Sequence, residues 1–309
     1  MKRNIIIIVI LSMILVFMVF FVDCDSDDSA NSSDNLNVFV SILPQKFFVE
    51  KIGGDNIKVS VMVKPGSSPA TYEPKPMQMK QLSKSDIYIN IGVPFEKSWM
   101  SKIKSANKNM LIVDGDKDIE KRRMIKEHTH KEVEEETEEI HNDKEESELS
   151  DPHIWLSPTL VKKHCEHILN AFVEVDPANS DIYRNNFNKL TEEIDKLDKE
   201  IKNLLKDKEI KEFMVFHPSW GYFAKDYGLR QVPIEIEGKE PSPKELKEFI
   251  DLAKEKDIKI IFVQPQFSKK SAKAIADAIN GEILVINPLA ENWLENMKEV
   301  AETFKEVLR

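Results

Sequence analysis

The chain has 309 residues, 41% of them hydrophobic, with 54 acidic against 44 basic side chains and a formal net charge of −10. That apolar content sustains the core of one large or two modest domains. The absence of a basic stripe or nucleic-acid motif argues against DNA or RNA as partner, and two cysteines, Cys24 and Cys165, do not make a disulfide framework.

The first residues set the compartment. Lys2 and Arg3 precede an apolar run over 5–22 broken only by Ser12, long for a signal sequence and just long enough to span a bilayer. Val22-Asp23-Cys24 has the form of a lipidation site, although Asp23 replaces the small residue expected there. Cleaved or not, residues 1–24 predict a signal or lipoprotein anchor. Residues 25–37, rich in Asp, Ser and Asn, predict a flexible tether. The body is then held on the outer face of the cell membrane.

Strand and helix signals alternate beyond the tether. Strands are predicted at 38–43, 57–63, 87–91 and 110–113, with helices at 45–52, 77–84 and 95–103 between them. Gly53-Gly54 is a helix stop. An acidic loop over 116–151 follows. Its part from 126 to 151 holds 12 acidic residues against three lysines, a local balance of −9, and carries His128, His130 and His141. A strand of imidazoles and carboxylates is a loose cation trap.

Cys165 falls on an apolar helical stripe with Val161, Ile168 and Phe172 and reads as a buried small hydrophobe; the flanking His164 and His167 read as a solvated face. Tyr183, Phe187, Leu190, Ile194, Leu197, Ile201 and Leu204 form one seam at alternating spacings of four and three, predicting a connecting helix over 177–206 on the order of 40 Å long. Strands are then expected at 213–216, 229–235, 258–263 and 283–286, with helices at 242–256, 269–280 and 291–308. The predicted fold is α/β: two lobes (38–175 and 208–309), each a mostly parallel sheet flanked by helices, joined by one long rigid helix. Ligands in such sheets sit beyond the carboxyl ends of the strands.

Two motifs flank the connecting helix: Asp151-Pro152-His153-Ile154-Trp155 and Phe216-His217-Pro218-Ser219-Trp220. In each, a histidine at a strand or loop end is stiffened by proline and followed by a tryptophan that would keep it partly dry. Neutral imidazole is the commonest zinc ligand.

With the loop Gly66-Ser67-Ser68-Pro69-Ala70-Thr71-Tyr72-Glu73-Pro74 and the turn Asn287-Pro288-Leu289-Ala290, these motifs resemble the zinc/manganese solute-binding proteins of ABC importers. The resemblance covers nearly everything after the tether. It implies bound Zn²⁺ or Mn²⁺ as cargo and no catalytic cofactor. A permease and its ATPase are the implied partners of a monomeric body that is not an enzyme. His153 and His217 match two family ligand positions. Ala70 stands where the family normally has histidine, and Asn287 where it commonly has aspartate.

Asn287 offers only a weak neutral oxygen, and Glu235, Glu237 and Glu240 are the candidate substitutes, Glu240 before Pro241 first among them. Glu240 could equally support the next helix, whose more obvious cap is Ser242; Glu73 reads as a partner within its own loop. An alternative cargo is a metal chelate or another small solute on the same scaffold. No His-Glu-x-x-His helix marks a zinc hydrolase.

Overall fold

The computed structural model describes residues 35–124, 150–209, 211–235 and 240–308. The expected anchor and tether up to residue 34, His128, His130 and His141 of the acidic loop, and Glu237 lie outside the described residues.

Two four-stranded parallel sheets carry the fold. The first contains β1 (Leu36–Val40), β2 (Ile57–Val61), β3 (Ile87–Ile89) and β4 (Leu111–Val113) in the order β2-β1-β3-β4. The second contains β5 (Glu212–Val215), β6 (Arg230–Pro233), β7 (Ile260–Val263) and β8 (Glu282–Val285) in the order β6-β5-β7-β8. In both, the chain order reverses beside the first strand, and a ligand crevice forms at such a switch point.

The helices are α1 (Leu43–Gly53), α2 (Pro76–Leu82), α3 (Pro94–Ala106), α4 (Pro158–Val175), α5 (Ser180–Leu205), α6 (Gly221–Asp226), α7 (Pro243–Glu255), α8 (Lys270–Ile279) and α9 (Trp293–Val307). Their boundaries follow local chemistry. Proline opens the first turn of α1, α2, α3, α4 and α7, where its missing N–H costs nothing. Ser157 caps α4, and Ser242 with Glu245 forms a capping box on α7. Asn280 ends α8 in the left-handed conformation at φ 50°.

The predicted connecting helix is α5, 26 residues long and therefore about 39 Å from end to end. It is preceded by a separate 3-10 turn, Pro177–Asn179. Tyr183, Leu190, Ile194, Leu197, Ile201 and Leu205 are buried along it; the seam closes on Leu205, with Leu204 only partly covered.

One hydrophobic core serves both sheets. It joins Val38, Phe48 and Ile89 of the first sheet's side to the inner face of α5, and continues through Phe213, Phe262 and Phe304 of the second. The period-2 alternation of a strand explains the split. Phe213 and Val215 face this shared core, while Met214, between them, faces a smaller core under α7 and α8.

His164 departs from expectation. It is fully buried on α4 beside Cys165, with its Nδ1 2.7 Å from the Gly115 carbonyl and the Gln45 amide 3.5 Å from its Nε2. Its two nitrogens find polar partners, so burial is tolerated. Burial pushes its pKa down to about 4. His167 is half-buried, with its Nε2 3.0 Å from the Lys117 carbonyl. Cys165 is buried, and burial pushes its thiol far up.

Candidate metal centre

His153 is positioned by its own carboxylate. Asp151, fully buried, accepts both the backbone N–H of His153 at 3.0 Å and the ring Nδ1–H at 2.7 Å through the same oxygen, Oδ1. This is a local Asx turn. Asp151 is itself held from two sides. Its N–H donates to the Arg122 carbonyl at 2.9 Å beside an antiparallel bridge between Arg123 and Ser150, and its carbonyl accepts from the Tyr222 hydroxyl at 2.9 Å. The Arg122 guanidinium lies 3.9 Å from Asp151 Oδ2 and covers Gly221, where any Cβ would overlap it.

His217 extends the register of β5. Phe216 N–H donates to the Phe262 carbonyl at 2.8 Å, and His217 is clamped next. Its N–H donates to Gln264 Oε1 at 3.1 Å, and its carbonyl accepts from Gln264 Nε2 at 2.6 Å. Glu235, just past β6, accepts the ring Nδ1–H at 2.7 Å. Phe267 stacks on the imidazole at 4.8 Å between centroids and 23° between planes.

The two rings meet. Their centroids are 5.2 Å apart and their planes 69° inclined. Each spends Nδ1 on a carboxylate, which fixes the tautomer and leaves the Nε2 lone pair for a ligand, the arrangement that raises a metal-binding histidine's basicity. Zinc–nitrogen bonds of about 2.0–2.1 Å at a tetrahedral angle would hold two such rings about 5 Å apart, and a linear ion would need about 6 Å. The observed separation fits the tetrahedral corner. Burial pushes the His153 pKa down, against the opposing pull of Asp151, so the ring is held in its metal-binding neutral form. The second oxygens of these carboxylates, Asp151 Oδ2 and Glu235 Oε2, are buried with no hydrogen-bond partner among the described residues.

The remaining candidates lie otherwise. Asn287 Oδ1 accepts from Leu289 N–H at 3.0 Å and from Gln266 Nε2 at 3.3 Å, so that oxygen holds its own turn. Ala70 and Glu73 are exposed in their loop. Glu240 is exposed and accepts from the Ser271 hydroxyl; the acidic residue that reaches a histidine is Glu235, five positions earlier. Among the described residues, no group of three or more His, Cys, Asp and Glu is placed to hold a metal ion. Asp151, Gln264 and Phe267 are the supporting residues that motif reading passed over. The Asp-x-His spacing of an Asx turn was the available signal for the first; the other two carry none.

Residues 38–307 match the family model described as zinc-uptake complex component A, periplasmic (ZnuA). The high-affinity zinc uptake system protein ZnuA of Bacillus subtilis (strain 168) is 30% identical over 274 residues, covering 84% of this chain and 81% of that protein. A crystal structure of ZnuA is similar at a TM-score of 0.80 and 42% identity, over 89% of this chain and 99% of that one. A zinc-bound ZnuA with residues 138-173 deleted is similar at a TM-score of 0.79 and 41% identity, over 89% and 98%.

Proposed function

The chain belongs to the zinc-uptake complex component A family, and from that premise we propose that it captures a divalent transition metal, zinc first, outside the cytoplasm and delivers it to an ABC permease driven by its ATPase. The cargo sits at the Nε2 atoms of His153 and His217. The observation that carries this reading is the 5.2 Å approach of two imidazoles from opposite sides of α5, each backed by a carboxylate. Nitrogen donors favour zinc over manganese, which suits carboxylate and carbonyl oxygens better.

The body works as a monomer, tethered through the segment ending at Cys24, and catalyses no reaction. The shared core across both sheets and the length of α5 oppose a wide hinge opening. Release then comes from movement of the loops around the pocket when the body docks on the permease. Among the described residues no helix is long and apolar enough to cross a membrane; the anchor would be the apolar run over 5–22.

Calorimetric titration of metal-stripped protein with Zn²⁺ tests the reading. Binding should be strong at neutral pH and weaken at acid pH, where protons compete with the metal for the imidazoles. No heat at any pH would reject it. Substituting either histidine by alanine should abolish the signal while leaving the far-UV spectrum unchanged.

A further inference from the structure

We propose that the form of zinc the pocket retains is a complex with a small, singly anionic, bidentate amino-carboxylate, such as a free amino acid, rather than the bare hydrated ion. The proposal rests on the metal reading above and names the cargo of that same site. It begins with the corner geometry. Two imidazoles at tetrahedral separation leave two adjacent coordination positions on a four-coordinate zinc, and one bidentate ligand spans adjacent positions.

Among the described residues the nearby side-chain oxygens do not fill them: the second oxygens of Asp151 and Glu235 have no hydrogen-bond partner, but each carboxylate lies across its ring from Nε2. Asp151 Oδ1 and Glu235 Oε1 are held on the far nitrogens of the two rings. Asn287 Oδ1 holds Leu289 N–H and the Gln266 amide. Ala70 has no donor atom.

Charge then selects the ligand. Asp151 and Glu235 balance the two positive charges of zinc, and the Arg122 guanidinium, 3.9 Å from Asp151, leaves one positive charge over. Asp151, His153 and Glu235 are each less than one-tenth exposed, and a residual charge in such a place is costly. A monoanionic chelator closes the balance. Its metal-bound amine carries N–H groups to donate. Gln266 Oε1, a buried acceptor with no partner among the described residues, lies in the loop whose next residue, Phe267, stacks on His217.

The experiment compares zinc sulfate alone with zinc sulfate plus L-histidine or glycine, on metal-stripped full-length protein, by competition titration and native mass spectrometry. An amino acid in solution competes for zinc, so a pocket for the bare ion must bind less zinc when it is added. The proposal requires the reverse: apparent zinc affinity rises about tenfold or more, and amino-acid affinity rises by the same factor when zinc is present. The loaded protein should carry one amino acid per zinc, and His217→Ala should lose both.

Zinc held alone, with affinity falling as amino acid is added, overturns the proposal and leaves the metal reading intact. Failure of zinc to bind under either condition removes both readings.

Discussion

The indole N–H of Trp293 donates to the backbone carbonyl of Trp155 at 2.6 Å, while the indole of Trp155 reaches forward to the carbonyl of Pro288 at 2.7 Å. The first residue of α9 and the turn that follows His153 are thereby clasped, with both rings almost fully buried. Phe48 of α1 packs on Trp293 at 5.1 Å, and an ion pair between Lys46 and Glu291 closes the same seam at the surface. The turn that carries His153 is consequently braced from behind.

The clasp yields the first prediction. Trp293→Phe keeps most of the packing but leaves the Trp155 carbonyl buried without its partner, a loss of about 1–3 kcal/mol. Urea unfolding of the metal-free protein measures it. Zinc affinity should fall by much less than it does on loss of either histidine, because neither ring is touched.

Asp151→Asn and Glu235→Gln keep oxygens that can accept from Nδ1–H but remove the charge behind each ring. Loss of such a partner typically weakens metal binding by about 10–100-fold. Titration with zinc at neutral pH should show that drop, with melting temperature shifted far less than for Asp151→Ala, where the turn into His153 also loses its acceptor.

Ala70→His tests the resemblance directly. If the loop of residue 70 faces the pocket as the family pattern implies, a third imidazole should raise affinity for bare zinc by about tenfold or more. The gain should vanish in the double variant with His217→Ala. An unchanged affinity in the single variant would show that the loop stands away from the metal.

Stability against pH should reveal two buried groups of opposite sign. His164 has its pKa pushed down to about 4 by burial, against an ordinary 6.5. The unfolded chain therefore takes up its proton first, and stability drops as pH falls from 6.5 towards 4. Glu96 has its pKa pushed up to about 7 by burial, against an ordinary 4.5. Here the unfolded chain loses its proton first, and stability drops as pH rises from 4.5 towards 7.

Each effect is on the order of 3 kcal/mol, and the two oppose one another over the shared window. Glu96→Gln should expose stability that rises with pH, and His164→Asn stability that falls with it. Urea midpoints between pH 4.5 and 6.5 decide the matter. Parallel slopes in the two variants would contradict it.

Much of this was readable from residue order because local signals and burial agree. The β-branched runs became the eight strands, and the four-three seam became α5. Proline beside each histidine marked rigid turns. His164 escaped because its burial depends on the Gly115 carbonyl and the Gln45 amide, 49 and 119 residues away, and no local period encodes such partners.

The acidic run from 235 to 240 was ambiguous for a related reason. Glu235 still follows strand pairing, its N–H on the Phe216 carbonyl at 3.0 Å, which delivers its side chain to the neighbouring His217. Glu240 lies beyond that register and meets the first turns of α8 instead. Proximity along the chain could not choose between them; hydrogen bonding across the sheet does.

The bridge between Arg123 and Ser150, with Asp151 fastened to the Arg122 carbonyl, closes the base of the acidic insert. The carboxylate that aims His153 takes its anchorage from the globular scaffold on both sides of the sequence 125–149. Replacing that stretch with a short turn should therefore spare the aim of the histidine it precedes.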